Sequence, residues 1–368
     1  MIDSSSSEQV PFLDLSRETA AVREELDAAA ARVLDRGWYL LGPEQEAFDQ
    51  AFAKYTGGAY SVGVASGLAA LELILEAHDI GKGDEVIVPA NTYIATWIAI
   101  TRCGAMPVPV EPDPATRNID AARVGEAITP RTRAIMAVHL YGEAADMVAL
   151  RRLADRHGLK LFVDAAQSAG AEIDGSRAAT IGDAAAFSFY PTKNLGALAD
   201  AGAVVTDDAE LAERVRLLRN YGMRSRTDHP EIGTNARMDE LSAAFLSAKL
   251  GHLDDWNARR AEIGGRYLAE LAGSDLTLPA GGGCWHLFVI QVEDRDQLAS
   301  HLGEAAIQTA IHYPVPPHLS DAYAGERERL GALPITEQLA RTALSLPISP
   351  FHSDAEIARV ISAVRDFF

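Results

Sequence analysis

Leu159-Lys-Leu-Phe-Val-Asp-Ala-Ala-Gln-Ser168, followed further along by Ala184-Ala-Ala-Phe-Ser-Phe-Tyr-Pro-Thr-Lys-Asn-Leu-Gly196, is the part of this chain that decides its fold. Each stretch opens as a short apolar run of strand length, without the polar alternation of a strand that faces water on one side. Such runs belong to strands covered on both faces, as in a parallel sheet between helices. The first run ends on a carboxylate, Asp164. The second passes through a Pro-broken loop to Lys193, one of five lysines in 368 residues. Taken singly, a lysine at a strand end is ordinarily solvated, and an aspartate closing a strand ordinarily caps a helix. The pair suggests a cofactor. A lysine amine that loses its proton in an apolar pocket can form a Schiff base with pyridoxal phosphate (PLP), while a carboxylate opposite the ring nitrogen keeps that nitrogen protonated.

Working outward, similar runs at 60–64, 85–88, 106–110, 133–138, 159–163, 184–188 and 203–206 predict seven strands. Helical patterns lie between them, among them 68–77 and 146–157, the second opening on the acidic cap Asp146 and stopping before Gly158. This alternation places the chain in the α/β class. Its length exceeds what one core fills, so two domains are expected. A helical pattern from Arg237 to about Leu271 breaks near His252. Beyond it, a strand-like segment 285–292, a helix near 294–302 and a closing helix 354–367 read as a smaller α/β domain. The boundary falls near Leu253, giving a large domain 11–253 and a small one 254–368, with the Ser-rich tail 1–10 expected to be disordered.

Composition narrows the function. The formal net charge of −19 repels phosphate backbones and argues against a nucleic-acid partner. Cys103 and Cys284 fit no metal-ligand spacing and are too few for a disulfide framework, which points to a reducing compartment and no metal. The first residues lack the basic and apolar regions of a signal peptide, and no apolar run is long enough to span a bilayer. A cytoplasmic protein with no membrane partner is expected.

The segment Phe187-Ser-Phe-Tyr-Pro-Thr-Lys193-Asn-Leu-Gly196 resembles the lysine segment of the DegT family, PLP-dependent aminotransferases acting on nucleotide-linked ketosugars. The resemblance extends over nearly the whole chain. It includes Trp38-Tyr-Leu-Leu-Gly42-Pro-Glu44, Pro89-Ala-Asn-Thr92-Tyr93-Ile-Ala-Thr96-Trp97, Val138-His139-Leu-Tyr-Gly142, Asn235-Ala-Arg237-Met-Asp239-Glu240-Leu241 and Leu344-Ser-Leu-Pro347-Ile-Ser-Pro350. It implies a PLP fold-type I large domain, aspartate aminotransferase-like, with a mixed, mostly parallel seven-stranded sheet.

The candidate site follows from both readings. Around Ser66-Gly67-Leu68, a strand, a small-residue turn and a helix start can hold an anion on backbone amides. The resemblance implies that the Gly67 and Leu68 amides bind the PLP phosphate, although Leu68 lacks the hydroxyl of the family's frequent threonine. It implies a second phosphate contact from the Ser188 hydroxyl and a third from Asn235 of a neighbouring subunit. A twofold homodimer with shared sites would result. It also implies Tyr93 as the aromatic on the ring face and Gln167 as the partner of the ring hydroxyl. For the sugar, the candidates are Tyr190, His312, Tyr313 and His318. The loop 195–202 departs from the family in having alanines where glycines are usual, which predicts a stiffer loop.

The implied reaction is ping-pong. A nucleotide-linked keto-deoxysugar, dTDP-linked with the ketone at C3 of a 6-deoxyhexose, would receive the amino group of an amino-acid donor such as L-glutamate. The cofactor would alternate between PLP and pyridoxamine phosphate (PMP), with Lys193 as general base and acid and Asp164 on the ring nitrogen. Three other readings stand beside it. One is a 4-keto aminotransferase. Another is a PLP-dependent sugar dehydratase, whose members carry histidine at the lysine position, so Lys193 speaks against it. The third is a non-catalytic regulatory homologue, which would not need Lys193 or Asp164.

Overall fold

The computed structural model describes residues 9–173 and 175–368. Its central sheet has seven strands: β1 Tyr60–Val64, β2 Glu85–Pro89, β3 Met106–Val110, β4 Thr132–Val138, β5 Lys160–Asp164, β6 Ala184–Ser188 and β7 Gly202–Thr206. The spatial order is β1-β7-β6-β5-β4-β2-β3, and all neighbours are parallel except the two pairs that involve β7. Each of the seven runs read from the sequence for this sheet is a strand, with ends moved by a residue at most, whereas the segment expected at 285–292 is strand only over Phe288–Gln291.

The runs are continuous because successive side chains enter different cores. On β5, Leu161 and Val163 join one hydrophobic cluster and Phe162 the other. On β6, Ala185 and Phe187 point to the first, Ala184 and Ala186 to the second. Helix Met147–His157 covers the first face through Met147, Leu150 and Ala154. Helices Gly67–Glu76 and Ile94–Arg102 cover the second, through Leu71, Ile74 and Trp97 among others. Phe162 is fully buried at the centre, and its truncation to alanine would cost about 3–5 kcal/mol.

A third core forms around the antiparallel pair β8 Phe288–Gln291 and β9 Ala343–Leu346. Helices Leu253–Glu270, Arg295–Glu304 and Asp354–Phe367 close it with Tyr267, Leu298 and Val360. The helical pattern expected to break near His252 is two helices, Glu240–Leu250 and Leu253–Glu270. Strand β9 was not anticipated. The expected disordered tail lies outside the described residues as far as Glu8, but Val10 departs from that expectation. It is fully buried in the third core and bridges Ile307, because an apolar side chain there completes a core built mostly from the C-terminal third.

The sheet sets the site by its register. Val138 lies opposite Asp164, Asp164 opposite Ala186, Ser188 opposite Gly202, and Gly202 opposite Val64. The carboxyl ends of β1, β4, β5 and β6 thus share one edge, the edge at which open α/β sheets bind ligands. Among the described residues no helix is long and apolar enough to cross a membrane, and no group of three or more His, Cys, Asp or Glu side chains could hold a metal ion.

Candidate active site

A cavity of about 630 Å³ opens at that edge. Among its lining residues is Asp164, the last residue of β5, which is 6% exposed. Oδ2 accepts from Thr96 Oγ1 at 2.8 Å and Oδ1 from the Ala166 amide at 3.1 Å. Burial pushes the Asp164 pKa up; Thr96, the Ala166 amide and the positive charge of Lys193 oppose it. A buried carboxylate so prepared suits a cationic N–H partner.

Lys193 lines the same cavity, in the loop that leaves β6. Its amide closes a turn onto the Tyr190 carbonyl at 2.8 Å. Burial lowers the amine's pKa to about 8, and Asp164 acts in the opposite direction. Such an amine is neutral and nucleophilic far below the ordinary lysine range. The alanine-rich stretch after it keeps glycine at two points of close approach: at Gly196 a Cβ would stand 2.4 Å from the Pro191 carbonyl oxygen, and at Gly202 2.4 Å from the Ser66 carbonyl carbon. The requirement is close approach, since Gly196 is not among the residues with positive φ.

The anion-holding end is built from β1 and β6. Ser66 caps helix Gly67–Glu76, its Oγ accepting from the Ala69 amide at 3.1 Å. The Gly67 and Leu68 amides precede that capped position, in the first turn, where a helix offers no carbonyl partner. Gly67 lies against Ser188: a Cβ on it would fall 2.7 Å from Ser188 Cβ. Two amides, a helix start and the Ser188 hydroxyl therefore face one small space, as a phosphate requires.

Tyr93, half exposed, packs against Tyr313 with ring centroids 5.1 Å apart. Gln167 is held at both ends, its Oε1 accepting from the Tyr141 amide at 2.6 Å and its Nε2 donating to Tyr313 Oη at 2.8 Å. His312 bonds Ser345 Oγ through Nδ1 at 2.8 Å, and burial lowers its pKa to about 4. Tyr93, Gln167, His312 and Tyr313, together with Tyr190, line the cavity.

Two candidates stand apart. Asn235 is exposed, bridged to Asn220, and does not line the cavity of its own chain. His318, proposed for the sugar, is 1% exposed, with Nε2 3.3 Å from Glu337 Oε1. The turn Pro317–Leu319 buries it against the helix Pro334–Thr342, away from the cavity, so it is withdrawn as a sugar contact.

Residues 20–365 match the DegT/DnrJ/EryC1/StrS aminotransferase family. The chain belongs to this family. It is 54% identical over 364 residues to the dTDP-3-amino-3,4,6-trideoxy-alpha-D-glucose transaminase of Streptomyces venezuelae, covering 98% of this chain and 96% of that protein. The crystal structure of S. venezuelae DesV in complex with a ketimine intermediate superposes with a TM-score of 0.96 at 53% identity, covering 98% of this chain and 99% of that one. NtdA from Bacillus subtilis, solved with bound cofactor PMP, superposes with a TM-score of 0.92 at 32% identity, covering 99% and 86%.

For this DegT-family chain, sequence reasoning missed several residues at the site. Thr96, which holds Asp164, lies three residues after Tyr93 in a block already singled out, but its partner is 68 residues away in the chain. Tyr141, left-handed at φ 61°, supplies the amide that orients Gln167. Asp200 and His286 also line the cavity. Nothing local to the sequence marks His286.

Proposed function

We propose that this protein is a PLP-dependent aminotransferase that converts the C3 ketone of a dTDP-linked 6-deoxyhexose to an amine, with an amino acid, L-glutamate in our reading, as donor. The observation that carries it is the half-buried Lys193, its amine pKa lowered by desolvation, sharing one cavity with the buried Asp164 carboxylate and an anion-holding helix start.

The residues fit PLP. Asp164 would pair with the ring nitrogen, Ser188 and the Gly67 and Leu68 amides would take the phosphate, Tyr93 the ring face and Gln167 the ring hydroxyl. When bound, PLP supplies the carbonyl that accepts an amine and an electron sink for the adjacent carbon. Lys193 moves a proton at Nζ between substrate carbon and nitrogen, for which a pKa near neutrality is suited. Tyr313 and Gln167 hold one another, so a sugar contact made by Tyr313 is fixed from the large domain. His312 and Tyr190 would offer the remaining polar contacts to the hexose. The relative that carries a dTDP-3-amino-sugar transaminase name supports both the nucleotide and the C3 position. A homodimer is part of the reading: Asn235, exposed on its own chain, is free to reach the phosphate of a partner's site.

The decisive experiment loads the protein with PMP and follows absorbance on adding dTDP-3-keto- and dTDP-4-keto-6-deoxyhexoses. The 3-keto sugar is expected to regenerate PLP far faster. A faster 4-keto sugar overturns the regiochemistry alone. A protein that takes up no coenzyme, with no borohydride-fixed mass on the Lys193 peptide, overturns the whole reading.

A further inference from the structure

Two side-chain amides in series fix the chemistry of a histidine that has no role so far. His286 is buried at the wall of the cavity, with Nδ1 3.1 Å from Asn194 Oδ1. Asn194 follows Lys193 in the chain. Its Nδ2 donates to the Cys284 carbonyl and to Asn257 Oδ1, each at 2.8 Å. Asn257 Nδ2 in turn donates to the Ala169 carbonyl at 2.9 Å. A backbone carbonyl only accepts, so each one orients the amide it faces. Turning either amide round would set oxygen against oxygen.

Asn194 therefore presents Oδ1 to His286, and an amide oxygen cannot donate. The proton between them sits on Nδ1. In a neutral imidazole protonated there, Nε2 is a bare lone pair. Burial, helped by the nearby charge of Lys193, keeps the His286 pKa well below its ordinary value, so the ring stays neutral. With Nδ1 tied to Asn194, Nε2 is the ring's remaining polar atom: it accepts a hydrogen bond and offers none. His312 differs. Its Nδ1 meets the Ser345 hydroxyl, which can donate or accept, so its tautomer is not fixed.

The substrates present opposite chemistry to such an acceptor. The carboxylates of an amino-acid donor are acceptors themselves and meet a lone pair unfavourably. The groups of PLP have partners in Asp164, Gln167, Ser188 and the helix start. A sugar ring presents O–H donors. Resting on the aminotransferase reading above, we propose that His286 is a specificity-determining residue whose Nε2 accepts a hydrogen bond from a hydroxyl on a ring carbon flanking the ketone.

The test measures the two half-reactions of the holoenzyme separately, with the parent 3-keto sugar and with analogues deoxygenated at C2 or at C4. His286→Phe keeps the ring and removes the acceptor. It is expected to lower kcat/KM for the parent sugar by roughly tenfold, the worth of one hydrogen bond, and far more than it lowers the amino-acid half-reaction. With the analogue that lacks the hydroxyl being read, wild type and His286→Phe should converge. His286→Gln, whose amide oxygen can accept, should recover part of the loss. Independently of turnover, ¹⁵N spectra of histidine-labelled protein should show a protonated Nδ1 and an unprotonated Nε2 for His286. A proton found on Nε2, an equal loss in both half-reactions, or an undiminished penalty with both deoxy analogues overturns the proposal. If PMP-loaded wild type reacts with no ketosugar at all, the parent reading has failed and this one falls with it. A wild type that turns over normally while His286→Phe shows no selective loss refutes His286 alone.

Discussion

Thr96 Oγ1 donates to Asp164 Oδ2 at 2.8 Å, so the buried carboxylate is gripped by a hydroxyl on one oxygen and by the Ala166 amide on the other. A hydroxyl has one proton. With that proton on Asp164, the 3.0 Å contact between Thr92 and Thr96 makes Thr92 the donor. Burial pushes Asp164 toward its neutral form, and these donors push it back toward the charged form. Thr96→Val should therefore raise the Asp164 pKa further and weaken its hold on a protonated ring nitrogen. Turnover is expected to fall roughly 10- to 100-fold, the worth of a hydrogen bond to a charged group. The sign follows. Asp164 protonates at a higher pH in the variant, so the acid limb of the pH–rate profile moves upward, and Thr96→Ser moves it back. An acid limb that stays in place in Thr96→Val removes Thr96 from this role.

Lys193 gives a second pH signature, measurable without any coenzyme. An ordinary lysine amine titrates near 10.5, whereas burial brings this one to about 8. Competitive acetylation of the coenzyme-free protein, read as modification of the Lys193 peptide against pH, should reach half its maximum near pH 8. Asp164 raises the Lys193 pKa, so Asp164→Asn should shift that midpoint lower still. A midpoint near 10.5 in the wild type would show that the amine is solvated rather than held in an apolar pocket.

Much of this arrangement is readable without coordinates, because it is encoded locally. The β5 and β6 runs end on Asp164 and lead into Lys193, and both faces of each strand are apolar within five residues. Strand β9 is different. Its Ala-Leu-Ser-Leu has no β-branched residue, and it is a strand because Phe288–Gln291 pairs with it on one side and Ala310 bridges Ser345. Thr96 and His286 acquire their roles only when the fold brings 96 to 164 and 286 to 194, a convergence no spacing along the chain records. His318 shows the converse. It is six residues from His312 in the chain, but the Pro316-Pro317 turn sends it into the protein while His312 lines the cavity.

The loop that presents Lys193 is tied down from beneath by a buried ion pair. Lys249 Nζ donates to Glu18 Oε1 at 2.6 Å and to the Gly196 carbonyl at 2.8 Å, with side chains 3% and 8% exposed. Lys249→Met leaves the Glu18 carboxylate buried without a cation, at a cost of roughly 3–5 kcal/mol. Denaturant unfolding should show that loss. Replacing both partners, as Glu18→Leu with Lys249→Met, should recover most of it, because no unpaired charge remains. A double variant as unstable as the single one would mean that packing around the stems, not the charge, sets the cost.

Asn235 yields the last prediction, because its position separates two models of the active site. It is exposed and outside the cavity of its own chain, in a segment bridged to Asn220. If each site takes its asparagine from the partner, Asn235→Asp should place a carboxylate against the partner's coenzyme phosphate and block loading there. Lys193→Ala removes the proton-transferring amine from its own site. Mixed under conditions of verified subunit exchange, the two inactive proteins should form heterodimers with two unlike sites. One joins the intact Lys193 of the Asn235→Asp chain to the unaltered Asn235 of the Lys193→Ala chain, and the other has lost both groups. Half of the sites in such heterodimers should then turn over at the wild-type rate, giving about one quarter of wild-type activity per chain at statistical exchange, on a simple twofold count of sites. Should activity remain at background although exchange is complete, Asn235 serves its own chain or only the packing of its loop, and the shared-site model is wrong while the roles of Lys193 and Asp164 stand.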